Sequence, residues 1–116
     1  MHELGYTKDI VTRVLAASEL SGASAVRAVY LTIGEVRDIV DDLLRQCFHW
    51  LARDTIASDA EVVIDRVPFE VRCRRCGATY SFDPYSKADN SCPACSSQDF
   101  EVVSGLEFGI DHIEIV

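Results

Sequence analysis

The sequence has 116 residues, of which 48% are hydrophobic and 26% charged, a balance typical of one small soluble domain. Its formal net charge of −8 opposes binding to nucleic acid phosphates and to anionic membranes, and it favours cations. No apolar run is long enough to cross a bilayer. The first residues lack the basic start and apolar stretch of a secretory signal, so we expect a cytoplasmic protein with no membrane association.

Two amphipathic helices are predicted in the first half of the chain. From Leu4 to Leu20, apolar residues recur at steps of three and four, which predicts a first helix that ends at the polar cluster 21–24. A clearer apolar stripe from Val36 to Leu51 predicts a second helix. Cys47 lies on this stripe, where we expect a small buried apolar residue rather than a metal ligand.

Strand patterns surround these helices. Apolar residues alternate up to Gly34, again over 61–67 and again in the segment that closes the chain, which we expect to return to the first strand. The expected fold is therefore α+β, with two helices on a small three-stranded sheet and an inserted zinc-ribbon lobe. We place one lobe at residues 1–69 and 104–116 and the inserted lobe at residues 70–103, with Pro68 near the boundary.

Four of the five cysteines form two Cys-x-x-Cys pairs, Cys73 with Cys76 and Cys92 with Cys95, fifteen residues apart. This is zinc-ribbon spacing. Two residues between the sulfurs allow a tight turn to direct both at one ion, and Gly77 supplies a permissive backbone after the second sulfur. Because four thiolates fill a tetrahedron around Zn²⁺ and leave no position for water, we expect a structural zinc site.

A redox-active pair or a disulfide framework would also use Cys-x-x-Cys, but neither explains two pairs at this separation. The odd number of cysteines also counts against a pure disulfide scheme. His49 and His112 are expected to be structural or surface histidines. A zinc ribbon alone does not specify a function, since the same module occurs in nucleic-acid machinery, enzymes and adaptors.

The amino terminus, Met1-His2-Glu3, places an α-amine, a peptide nitrogen and an imidazole in succession. These groups can close fused chelate rings around one ion in a planar arrangement. Such nitrogen-rich coordination suits Ni²⁺ or Cu²⁺ better than Zn²⁺ or Mg²⁺, and Glu3 can add a carboxylate oxygen or a backbone nitrogen. The alternative is that His2 is a solvated side chain and that Glu3 only favours the positive end of the first helix.

Together these features resemble the HypA family, the hydrogenase and urease nickel incorporation proteins. The likeness spans nearly the whole chain. It rests on four stretches. These are Met-His-Glu-Leu at 1–4, Leu-Thr-Ile-Gly-Glu at 31–35, the two Cys-x-x-Cys pairs, and the closing strand with its segments 105–107 and 113–115. None of these is rare alone, but their combination in this order is specific.

The resemblance implies a nickel metallochaperone in which Met1, His2 and Glu3 ligate Ni²⁺ as cargo, with the zinc lobe inserted before the last strand. It also implies partners: a HypB-type GTPase, the large-subunit precursor of [NiFe]-hydrogenase and, for some members, urease maturation proteins. In some relatives an acidic residue early in the second helix belongs to the nickel region. Val40 lies near that place here, with Asp38 and Asp41 beside it, which leaves a further ligand unassigned.

A second function stays open at this point. The cluster Arg72, Arg74 and Arg75 beside the first cysteine pair is compatible with a zinc-ribbon nucleic-acid or transcription adaptor, although the acidity of the chain counts against it. We expect no enzyme, because the sequence offers no paired nucleophile and base, no phosphate loop and no open position on the zinc.

Overall fold

The computed structural model describes residues 3–86 and 89–116, and it has an α+β fold. Met1 and His2, which carry most of the predicted nickel chelate, lie outside the described residues. No helix in the described part of the chain is long and apolar enough to span a membrane. In chain order the elements are α1 (Glu3–Leu20), β1 (Val26–Gly34), α2 (Asp41–Leu51), β2 (Glu61–Val67), β3 (Glu70–Cys73), β4 (Thr79–Tyr80), β5 (Phe100–Ser104) and β6 (Phe108–Ile115).

Within the described residues, the strands form two three-stranded sheets, in the orders β2-β1-β6 and β4-β3-β5. The closing strand β6 lies beside β1, as the alternation of its apolar residues predicted. Strand β5 instead pairs antiparallel with β3 and sets Phe100 opposite Cys73. The strands on either side of Ser104-Gly105, β5 and β6, therefore belong to different sheets.

The chain divides into two compact units. The first consists of Met1–Thr32, Asp38–Asp65 and Gly109–Val116, and the second of Ile33–Arg37 and Arg66–Phe108. In the first unit, α1 packs against α2, and the largest fully buried side chains include Val14, Val29, Leu31, Leu44 and Phe48. The functional division into lobes at 1–69 with 104–116 and at 70–103 stays a prediction.

Helix α1 buries a face that differs from the predicted apolar stripe. Ile10, Val11 and Val14 are buried as predicted, but Leu4 is 39% exposed and Ala17 is also exposed. Three polar residues complete the buried face instead, namely Glu3, Thr7 and Ser18. The Thr7 hydroxyl donates to the carbonyl of Glu3 and the Ser18 hydroxyl to that of Val14, so each polar group keeps a partner one helical turn away.

Helix α2 begins at Asp41, five residues later than the apolar stripe predicted. Val40 is extended, with φ −91° and ψ 114°, and its carbonyl accepts the first helical hydrogen bond, from the amide of Leu44 at 2.9 Å. Ile39 is nevertheless buried. The apolar periodicity therefore continues upstream of the helix because the turn and irregular segment at 35–40 also buries an apolar side chain, that of Ile39.

Residues 33–37 form part of the second unit, where several polar groups hold them. The Tyr85 hydroxyl donates to the carbonyl of Val36 at 2.7 Å, and the Arg37 Nε donates to the carbonyl of Leu106 at 2.7 Å. The Arg66 guanidinium donates to the carbonyl of Gly34, also at 2.7 Å. Residues 33–37 are thus fixed by side chains from distant parts of the sequence, Tyr85 and Arg66, and by the side chain of Arg37 itself.

Candidate metal centres

The four predicted zinc ligands converge in the second unit. The sulfur atoms of Cys73, Cys76, Cys92 and Cys95 all lie within 4.8 Å of one another, and two pairs of sulfurs, Cys73 with Cys95 and Cys76 with Cys92, are 3.5 Å apart. Cys73 is the last residue of β3 and is held in place by that strand. All four cysteines are free of disulfide bonds.

The two cysteine turns have the same backbone hydrogen bonds. The amide of Cys73 donates to the carbonyl of Ala78 and the amide of Gly77 donates back to the carbonyl of Cys73, at 2.8 and 2.9 Å. In the second turn the amides of Cys92 and Ser96 donate in the same pattern, both at 2.8 Å. The fourth position after each first cysteine has a positive φ, 78° at Gly77 and 64° at Ser96. Glycine adopts this conformation at low cost, which is the backbone freedom predicted for Gly77.

Backbone amides point at the sulfurs, as the tight turns predicted. The amide of Cys76, aided by that of Arg75, lowers the pKa of Cys73 to about 6 against the opposing effect of burial. The amide of Ala78 lowers the pKa of Cys76, but the Cys92 side chain and burial outweigh it and raise that pKa to about 11. The cage thus strongly stabilises the thiolate of Cys73, whereas Cys76 keeps a proton that a metal ion would have to displace.

The geometry of the cage fits a tetrahedral ion bound by sulfur. Zinc–sulfur bonds of about 2.3 Å place the sulfurs of a tetrahedron about 3.8 Å apart, close to the 3.5 Å separations here. Four thiolates are a donor set that soft or borderline metals prefer. Cys73 and Cys92 are nearly fully buried, whereas Cys95 is half-buried and Cys76 is exposed. Cys47 is buried on α2 and does not belong to the cluster.

Near the predicted nickel chelate, the described structure begins at Glu3. This side chain is only 6% exposed, and its Oε1 accepts a hydrogen bond from the backbone amide of Val40 at 3.0 Å. Val40 is the N-cap residue of α2 and cannot cap the helix with its own side chain. The Glu3 carboxylate therefore accepts a hydrogen bond at the start of α2. On either side of Val40, Asp38 is exposed and Asp41 is half-buried.

The arginine cluster beside the first cysteine pair is largely neutralised. Arg72 pairs with Glu101 at 3.1 Å and Arg74 pairs with Asp99 at 3.0 Å, both across the β3–β5 region. These carboxylates offset the positive charge of two of the three arginines, which weakens the attraction of the cluster for phosphates. This arrangement does not favour the nucleic-acid adaptor.

The chain matches, over residues 1–115, the family model described as HypA, hydrogenase/urease nickel incorporation, metallochaperone. The chain belongs to this family. Among its curated relatives, the hydrogenase maturation factor HypA of Dehalococcoides mccartyi strain CBDB1 is 37% identical over 115 residues, covering 99% of this chain and 94% of the relative. That of Pyrococcus furiosus is 33% identical over 133 residues, covering 99% and 96%.

Solved structures of HypA proteins share the fold. The solution structure of the Ni metallochaperone HypA from Helicobacter pylori matches with a TM-score of 0.67 at 19% identity, covering 100% of this chain and 98% of that one. A second solution structure of a HypA protein matches with a TM-score of 0.74 at 20% identity, covering 100% and 97%. Both matches support the α+β fold.

Sequence reasoning located the four cysteines but missed the long-range contacts of Glu3 and Tyr85. The contact between Glu3 and Val40 joins residues 37 positions apart, and no periodic pattern in the sequence marks it. The hydrogen bond from Tyr85 to Val36 is equally nonlocal. The cysteine cluster includes neither His49, whose ring contacts the carbonyl of Ala60, nor His112, whose ring contacts Asp111.

Proposed function

We propose that this chain is a nickel metallochaperone that binds Ni²⁺ at its amino terminus and delivers it during maturation of [NiFe]-hydrogenase, with urease maturation as a possible extension of the same role. Membership of the HypA family over residues 1–115 is the observation that carries this proposal. The Met1-His2-Glu3 start adds the chemistry, because its nitrogen donors suit a planar Ni²⁺ ion.

The proposed ligands are the α-amine of Met1, the backbone nitrogen and imidazole of His2, and the backbone nitrogen of Glu3. Glu3 is the first residue of α1, and the first amides of a helix have no acceptor within that helix. Its carboxylate is held by the amide of Val40, which supports a backbone contribution rather than a carboxylate ligand. Protons compete with the metal for these nitrogen donors, which suits a protein that must release its cargo.

For the four-cysteine cage we propose a structural Zn²⁺. The second unit has short strands and few large buried aliphatic side chains, so a metal bound by four thiolates would replace part of a hydrophobic core. Structural zinc contributes on the order of 10 kcal/mol to the folding of comparable small modules. With all four positions taken by sulfur, the ion has no open position for catalysis, which agrees with a protein that is not an enzyme.

The proposed partners are a HypB-type GTPase and the large-subunit precursor of [NiFe]-hydrogenase, which must meet the chaperone in the cytoplasm, where hydrogenase precursors await their metal. The curated relatives are hydrogenase maturation factors, which supports partners in hydrogenase maturation. The chain carries a net charge of −8, which is compatible with attracting metal cations and with partners other than nucleic acid.

The decisive experiment is equilibrium nickel titration of untagged wild-type protein and of His2→Ala, with metal analysis of both. We expect wild type to bind one Ni²⁺ in a planar, diamagnetic site, and His2→Ala to lose tight binding while its zinc content stays unchanged. A fusion that blocks the Met1 amine should behave like His2→Ala. Stoichiometric tight nickel binding by the fusion protein would contradict the terminal site.

A further inference from the structure

Helix α2 carries apolar residues on two adjacent faces. One face, with Leu44 and Phe48, is fully buried in the first unit. The other face is a stripe formed by Val40, Leu43, Cys47 and Trp50. Its steps of three, four and three residues are those by which one helix packs against another. Because Val40 and Trp50 are 57% and 59% exposed, this stripe offers apolar surface that the first unit does not bury.

The stripe borders a groove between α1 and α2, which we call the α1–α2 groove. Its volume is about 380 Å³, and it is lined by Leu4, Leu43, Gln46, Cys47 and Trp50. Gln46 is the one polar side chain among these five, and none of them is charged. A mostly apolar groove between two helices is the kind of surface into which proteins receive the apolar face of a further helix.

Trp50 is placed to act as the anchor of this groove. It is the only tryptophan in the chain. The Arg53 guanidinium lies over its ring, 4.2 Å from the ring centroid, and also donates to the carbonyl of Trp50 at 2.6 Å. A tryptophan held in this way presents a large apolar area at low entropic cost, and tryptophan and arginine are enriched among the residues that dominate binding energy at interfaces.

The free charges beside the groove are positive, although the whole chain carries −8. Arg53 covers the tryptophan, and Lys8 follows Leu4 by one turn on the same side of α1. Neither cation forms an ion pair with any residue in the ranges 3–86 and 89–116. The Asp42 carboxylate on α2 is already bound to Arg45 at 3.2 Å. Carboxylates of an incoming helix would therefore find two cations without a competing partner.

We propose that the α1–α2 groove binds an amphipathic helix of a partner protein. Apolar residues of that helix, at steps of three and four, lie in the groove, and its carboxylates pair with Lys8 and Arg53. A second copy of this chain would bring the same two cations and not the carboxylates that complement them. The inference needs neither nickel nor zinc binding, so it goes beyond the proposed function and can fail without it.

The probe is a labelled helical peptide of about 18 residues, or about five turns, with leucines at steps of three and four and glutamates beside them. A second peptide has lysines in place of the glutamates, and a third has serines in place of the leucines. Binding is followed by anisotropy of the label and by tryptophan emission, which comes from Trp50 alone. We expect the glutamate peptide to shift this emission to shorter wavelength.

The order of affinities separates local from overall charge. We expect the glutamate peptide to bind about tenfold more tightly than the lysine peptide, which corresponds to several exposed charge pairs reversed in sign. The net charge of the chain alone would favour the lysine peptide. The serine peptide should not bind. Equal affinities, a preference for lysine, or an unchanged Trp50 emission would overturn the proposal.

Gln46→Glu and Gln98→Glu form a matched pair of variants. Each adds one negative charge at an exposed glutamine, but Gln46 lines the groove and Gln98 lies in the second unit. We expect Gln46→Glu to weaken the glutamate peptide about threefold to tenfold and Gln98→Glu to leave its affinity unchanged. Equal affinities of the two variants would contradict binding in the groove.

Sedimentation of the wild type and of Gln46→Glu tests the second copy directly. A wild-type dimer that Gln46→Glu dissociates would assign the groove to another copy of the chain and overturn the proposal. A wild type that stays monomeric while it binds the glutamate peptide supports the partner helix. Nickel titration of the same wild-type sample then tests the proposed function separately, since nickel binding and peptide binding can each be present without the other.

Discussion

The buried carboxylate of Glu3 allows its two possible roles at the amino terminus to be separated. Its Oε1 accepts the amide of Val40 at 3.0 Å. Glu3→Ala removes this acceptor, whereas Glu3→Gln keeps an oxygen at the same position and removes only the charge. All three proteins keep the backbone nitrogen that we propose as a nickel ligand. The series therefore distinguishes a carboxylate that binds nickel from one that fixes the start of α2.

The structure gives the expected magnitudes. A hydrogen bond to a charged acceptor contributes about 1.5–3 kcal/mol, and loss of a helix cap costs about 0.5–2 kcal/mol. For a chain of this length, one kcal/mol corresponds to about 4 °C in Tm. Without nickel, Glu3→Ala should lower the Tm by about 6–12 °C. Glu3→Gln should lose about 1 kcal/mol, since a neutral acceptor gives a weaker hydrogen bond.

Nickel titration and thermal unfolding of the same samples provide the assay. We expect Glu3→Gln to keep the planar nickel spectrum and nearly wild-type affinity, and Glu3→Ala to keep the spectrum while binding up to about tenfold more weakly, equivalent to about 1.4 kcal/mol of lost positioning. Val40→Pro is the matched control, because it removes the donor amide and leaves Glu3 untouched. Its φ of −91° is close to the range that proline adopts.

The result that would refute this reasoning is equal and severe loss of nickel affinity in Glu3→Gln and Glu3→Ala, together with wild-type stability of Val40→Pro. In that case the carboxylate itself would be a nickel ligand. The contact with Val40 would then be of little energetic consequence.

Two other predictions follow from the second unit. Gly34→Ala should lower the free energy of unfolding by about 1–3 kcal/mol, measured by denaturant unfolding, because its Cβ would lie 2.0 Å from the carbonyl oxygen of Gly105. Gly5→Ala is the control. Gly5 lies in α1 with open space around it, so this substitution should raise the free energy of unfolding by up to about 1 kcal/mol. Zinc binding should release more protons as the pH falls from about 8 to about 6, because Cys73, with its pKa lowered to about 6, is already deprotonated at the higher pH while Cys76 remains protonated throughout. Calorimetry in buffers of different ionisation enthalpy measures the number of protons released per zinc ion bound. A number that stays constant between about pH 8 and about pH 6 would contradict the lowered pKa of Cys73.

The cysteine cage could be predicted because its determinants are local. Two residues between the sulfurs and a positive φ shortly after them define each turn, and only the distance between the two turns is set by the rest of the unit. The order of the helices and strands was equally accessible, since apolar periodicity is a local signal. The closing strand was correctly placed beside β1 for the same reason.

The errors have a common physical origin in nonlocal partners. The stripe from Val36 suggested a helix, but residues 35–40 form a turn and an irregular segment that ends at Val40, whose amide is bound by a carboxylate from the other helix. Likewise, Glu3 lies on the buried side of α1 and Leu4 does not, because the amide of Val40 gives the carboxylate a partner there. Periodicity ranks residues by polarity and so cannot identify a polar group that is buried with its partner.

Gly34 and Gly105 show how two separate stretches of sequence can express one structural requirement. Both stretches contributed to the resemblance on which the family was first suggested. In the folded unit their backbones approach so closely that a Cβ on Gly34 would overlap the Gly105 carbonyl, and the amide of Gly34 donates to the carbonyl of Glu107 at 2.6 Å. Gly105 has a φ of 108° and a Cβ there would meet Phe69 at 2.6 Å. Neither glycine can be replaced without moving the backbone. The glycines of the segments 31–35 and 105–107 therefore reflect one requirement, the close approach of these two backbone segments.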